Sequence, residues 1–92
     1  MPYYSGKALK IIVSTQNAML KAYLLIVCEV GLERDIEEAI RKVRNVMDVD
    51  GVYGEYDIIV KAEVGDIKQL DGVVSEIRRI KGVLRTMTLL CD

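Results

Sequence analysis

Residues 22–30, AYLLIVCEV, are almost continuously apolar and rich in β-branched or aromatic types. The run is too short for a typical helix and predicts a strand buried on both faces. Gly31 breaks it. Beyond the break, Leu32, Ile36, Ala39, Ile40 and Val43 recur at helical spacing, with Glu33, Glu37, Glu38, Arg41 and Lys42 on the other side. Glu37 precedes Arg41, and Glu38 precedes Lys42, in the favourable i,i+4 order. Acids lead and bases trail, as the helix dipole prefers. Residues 46–53 read as a second strand, interrupted by Asp48, Asp50 and Gly51, and residues 58–64 (IIVKAEV) as a third. Asp66 is suited to cap a second helix carrying Ile67, Leu70, Val74, Ile77 and Ile80 along one face. Gly72 weakens that helix by up to about 1 kcal/mol relative to alanine. Gly82 ends it, and residues 83–90 form a fourth strand.

The order β-α-β-β-α-β predicts an α+β fold, the ferredoxin-like sandwich, with a four-stranded antiparallel sheet and both helices on one face. Right-handed crossovers place the first strand between the third and fourth. Its central position accounts for its being the most apolar. The other sheet face receives no helix, so strict alternation is expected if it meets water. Instead Tyr23, Leu25 and Val27 stand on one side while Leu24, Ile26 and Cys28 stand on the other. Both faces call for burial, and a second chain is the expected cover.

The domain is expected over residues 21–92. Residues 1–20 fit it poorly and form an N-terminal extension, in which KALKIIVS reads as an extra strand, an arm onto a neighbour or a disordered lead.

Composition narrows the function classes. The chain of 92 residues is 51% hydrophobic but has no Trp and no Phe, so its core is aliphatic. Thirteen basic against 14 acidic residues, net −1, give no electrostatic footprint for nucleic acid. No run reaches the ~18 apolar residues of a membrane span, and no signal peptide opens the chain, so a cytoplasmic protein is expected. Histidine is absent, which removes the usual general base and the commonest metal ligand. Cys28 and Cys91 make no CxxC motif. The strand order puts Cys91 beside Ala22, about 20 Å from Cys28, so both are expected as free thiols. No cofactor, metal or catalytic residue is indicated.

One stretch asks for more than folding. Between the second and third strands lies Gly54-Glu55-Tyr56-Asp57. Gly54 permits a positive φ and a bend that exposes its amides, which suits a carboxylate. Asp57 offers acceptors to an ammonium group, and Tyr56 an apolar wall and a hydroxyl. These match the two ends of an amino-acid zwitterion. A solvated hairpin kept soluble by its acids explains the same residues. Thr86 and Thr88, on one face of the fourth strand, suit the same ligand or simply reflect β-propensity.

Taken together, AYLLI, VYGEYDIIVKAEV and GVLRTMTLL resemble the effector-sensing domain of the Lrp/AsnC transcription regulators, the RAM domain, over residues 21–92. The most specific part is Gly54-x-Tyr56-Asp57, backed by Gly82-Val83 and Thr86-x-Thr88. The resemblance implies dimers stacked through open sheet faces and joined into octamers or similar rings. It also implies a small amino acid bound between dimers, with Gly54, Glu55, Tyr56 and Asp57 lining the site and Thr86 and Thr88 nearby. Tyr53 departs from the smaller residue expected before the glycine, which bears on the choice of ligand. Only about 20 residues precede the first strand, too few for the family's helix-turn-helix. The chain thus reads as a stand-alone sensing form, without direct nucleic-acid binding and suited to co-assembly with a full-length regulator. An ACT-like regulatory module shares the topology and stays open. A small ferredoxin-like dimeric enzyme fits less well, since it calls for a His or Trp at a cavity.

Overall fold

The computed structural model describes residues 19–92. Its elements follow in the expected order: β1 (Leu20–Cys28), α1 (Glu33–Arg41), β2 (Val46–Gly51), β3 (Ile58–Val64), α2 (Ile67–Arg78) and β4 (Val83–Leu90). The sheet runs β2-β3-β1-β4, antiparallel throughout, with β1 central. Of the expected extension, residues 1–18 lie outside the described residues, and Leu20 already belongs to β1.

Local chemistry sets the helix ends. Asp66 accepts a hydrogen bond from the Gln69 N–H at 2.8 Å, and the Gln69 side chain accepts from the Gly65 N–H at 2.7 Å. Two otherwise orphaned amides at the start of α2 are thereby satisfied. In α1, Glu33 and Asp35 occupy the first turn and Arg41 the last, which complements the dipole. The Glu37–Arg41 pair forms at 3.6 Å. Ile36 and Ile40 turn one face of α1 onto the sheet and share one core with Leu24, Ile26, Ile58 and Val60, all essentially inaccessible. Each such aliphatic side chain contributes about 1.5–3 kcal/mol on burial.

Two boundaries and one helix face differ from expectation. β1 ends at Cys28, and Val30 is 95% exposed. The reason is pairing: the register against β4 shifts between Val27 and Cys28, and the Glu29 N–H turns to the Gly82 carbonyl at 2.8 Å. β2 stops at Gly51 rather than Tyr53. On α2 the buried set is Leu70, Val73 and Ile77, while Ile67 is half exposed. As the first helical residue, Ile67 starts the helix outside the layer of contact.

On the helix-free face, Tyr23, Leu25 and Val27 of β1 are half-buried, while Met87 and Leu89 of β4 are 47% and 48% exposed. An apolar strip thus runs across the central strand and one edge, as the missing alternation predicted. Cys28 and Cys91 are free, and the Cys91 N–H donates to the Lys21 carbonyl, beside Ala22 as expected.

Candidate ligand-binding site

The turn between β2 and β3 closes at its base, where the Val52 N–H donates to the Asp57 carbonyl at 2.9 Å. Gly54 holds φ at +135°, and a Cβ built there meets nothing within 4 Å. The expected positive φ is present, and the space above the bend is open. Glu55 is exposed.

Asp57 does more than edge the turn. Its N–H donates to the Ile26 carbonyl at 2.8 Å, and its carboxylate Oδ2 accepts from the Cys28 N–H at 2.9 Å. The residue therefore pins the turn to the end of β1 after the β3 ladder has stopped. One carboxylate oxygen is committed to the backbone, a role no local pattern announces. The neighbouring Cys28 thiol is pushed up to about 11, first by burial and then by the Asp57 charge.

Tyr56 leaves the turn across the helix-free face. Its hydroxyl donates to Met87 Sδ at 3.5 Å, and the Arg85 guanidinium carbon stands 5.9 Å from its ring centroid. Met87 pairs with Leu25 and Arg85 with Val27, so both lie on that face. Thr86 and Thr88 pair with Ile26 and Leu24, which face the helices. Within one chain the four turn residues come together, but the two threonines lie on the opposite side of the sheet. β4 is moreover separated from β3 by β1.

Beside the turn opens a cleft of about 590 Å³, walled by Gly31, Glu33, Arg34 and Glu37 on one side and Gly51, Tyr53 and Asp57 on the other. The α1 residues here read in sequence as a solvated helix face. Only the packing of α1 on β2 brings them to the turn. Among the described residues, no cluster of three or more His, Cys, Asp or Glu is placed to hold a metal, and no helix is long and apolar enough to cross a membrane.

A sequence profile of the Lrp/AsnC ligand binding domain matches residues 21–91. The chain belongs to the Lrp/AsnC family. A Thermus thermophilus protein of known crystal structure superposes on this Lrp/AsnC domain with TM-score 0.78 and 35% identity, over 80% of this chain and 94% of that one. A Neisseria meningitidis transcriptional regulator, solved as a complex with L-Met, superposes with TM-score 0.73 over 100% of this chain and 60% of that one. At 17% identity it shares the fold. Homocitrate synthase of Sulfolobus acidocaldarius is 43% identical over 51 residues, covering 55% of this chain and 10% of the enzyme. The chain spans between 10% and 39% of the length of the curated relatives it matches.

Proposed function

We propose that this Lrp/AsnC domain is a non-enzymatic sensor that binds a small amino acid at the Gly54–Asp57 turn, between dimers of an oligomer. The observation that carries the reading is the family match over residues 21–91, joined at the turn by a glycine at positive φ with open space above it. The bend presents amides to the ligand carboxylate, and the second oxygen of Asp57 takes the ammonium group. Thr86 and Thr88 reach the ligand from a neighbouring copy. Dimers form by stacking the helix-free faces, which covers Leu25, Val27, Met87 and Leu89, and dimers join into an octamer or similar ring. The assembly works in the cytoplasm and takes in full-length Lrp/AsnC regulators through the same faces, so its effect on DNA is indirect.

A second reading draws on the Sulfolobus acidocaldarius relative, where the likeness covers 10% of a biosynthetic enzyme. On this reading the sensing domain serves an enzyme rather than a DNA-binding partner. Calorimetric titration of the twenty amino acids, with assembly size followed by light scattering, tests the core claim. One or a few are expected to bind and to enlarge or tighten the assembly. Failure of all twenty, or equal binding by Gly54→Val with no change in size, would overturn it.

A further inference from the structure

In the cleft beside the turn, every carboxylate on the wall is already held by its own chain. Glu33 accepts from the Gly31 N–H at 2.9 Å, Glu37 pairs with Arg41 at 3.6 Å, and Asp57 accepts from the Cys28 N–H at 2.9 Å. Glu37 is also seated closely on β2, where a Cβ added to Gly51 would fall 2.7 Å from its Oε2. Arg34 differs. It lines the same cleft, is exposed, and among the described residues forms no ion pair. Its place in α1 does not account for it either. It stands in the first turn directly after Glu33, where the helix dipole favours acids over cations. Tyr53, which rims the facing wall, is equally bare, with its side chain wholly exposed.

The chemistry of these groups limits what the cleft can read. A guanidinium is a donor only, its N–H groups set in a flat fork, so Arg34 asks for an acceptor. The acids keep their charge while bonded, so a further anion beside them is disfavoured. A cationic side chain meets Arg34 as a like charge. A carboxamide suits both kinds of group. Its oxygen accepts from Arg34, and its NH2 donates to the lone pairs that Glu33 and Glu37 have left over. Tyr53 supplies an apolar wall for the stem that carries it. We propose that Arg34 is the specificity-determining residue of the site, selecting amino acids whose side chain ends in a carboxamide.

The inference rests on the proposed amino-acid site and adds the side chain to it. The turn amides and Asp57 hold the groups common to every amino acid, whereas Arg34 and Tyr53 meet the part that varies. A cleft of about 590 Å³ has room for both parts. Because Arg34 is exposed, water answers its N–H groups when no ligand does. The discrimination expected is therefore that of one charge-assisted hydrogen bond, about tenfold, and not the far larger rejection a buried donor enforces.

Calorimetric titration of the full chain with glutamine, asparagine, norvaline and lysine reads this selectivity, with circular dichroism confirming the fold of each variant. Wild type is expected to bind one of the two carboxamides about tenfold more tightly than norvaline, whose side chain ends in a methyl group. Arg34→Met should erase that margin and leave norvaline binding unchanged. Arg34→Lys keeps a donor without the fork and should restore part of the margin. Arg34→Glu should turn the order in favour of lysine, an exchange that a merely structural role for Arg34 does not produce. Tyr53→Ala should weaken carboxamides and norvaline alike. A wild type that prefers norvaline or lysine, or a carboxamide margin indifferent to Arg34, overturns the inference and leaves the amino-acid site standing. If none of the twenty amino acids binds wild type, the site itself falls, and the selectivity with it.

Discussion

Asp57→Ala separates the two roles of the turn. In the ligand-free protein the substitution removes the acceptor of the Cys28 N–H, a bond of 2.9 Å at the edge of the core. The main-chain bonds of residue 57 to Ile26 and Val52 do not depend on its side chain and are retained. A hydrogen bond to a charged group contributes about 1.5–3 kcal/mol, more than a neutral one. Urea unfolding of Asp57→Ala should therefore show a loss of about 1.5–3 kcal/mol, and thermal unfolding a Tm lower by on the order of 10 °C for a domain of this size. Asp57→Asn keeps an acceptor without the charge and should lose about half as much. Both measurements are made without any amino acid present, so they register the structural bond alone. If Asp57→Ala unfolds within about 0.5 kcal/mol of wild type, as ordinary surface substitutions do, the carboxylate does not hold β1, and its assignment reverts to the ligand only.

Three further outcomes are expected. The Cys28 thiol is held above its ordinary 9.0, at about 11, so the unfolded chain releases its proton first; stability is complete below pH 9 and falls by roughly 2–3 kcal/mol between pH 9 and 11. Cys28→Ala should flatten that part of the urea profile, and an unchanged slope would refute the burial argument. Gly54→Ala should cost about 1–2 kcal/mol through backbone strain alone, whereas Gly82→Ala should cost more, because φ is +98° and its Cβ falls 2.8 Å and 2.9 Å from Leu32 Cδ1 and Ile36 Cδ1; equal losses by urea titration would contradict this ranking. Leu25→Asp places a charge on the helix-free face without entering the core and should give a folded monomer by light scattering, while a persisting dimer would place the interface elsewhere.

How much of this was legible in the chain depends on range. The caps and breaks were, because Asp66 bonds Gln69 three residues on and Gly82 bends its own backbone. The central position of β1 was also readable, since both of its faces are apolar. Its end was not, because the apolar run continues through Val30 and only the register shift against β4 stops the ladder. The face of α2 was misplaced by one turn at its start, where Ile67 matches the spacing but lies beyond the sheet. At the turn, Gly54 announces its own φ. The bond from Cys28 to Asp57 joins residues 29 apart, and Tyr56 meets Met87 across 31. No periodicity encodes such pairings. The acidic cleft was hidden for the same reason: Glu33 and Glu37 fit a solvated helix face equally well until β2 sets Gly51 and Tyr53 opposite them.

The central position of β1 has a consequence for how the chain is made. Leu20–Cys28 emerges from the ribosome first among the described strands, yet its partners are β3, with Leu20 opposite Val64, and β4, with Ala22 opposite Leu90. The most apolar strand stays unpaired on both sides until β3 has been synthesised, and on one side until β4 has followed. Local helices cannot shorten that wait, because the ladder partners are distant in sequence and closing such loops is slow. A nascent chain halted before Val83 presents LLIVC with a bare edge, the kind of species that pairs with its neighbours instead of with itself. Completion of β4 is thus the step that commits the domain to its own sheet.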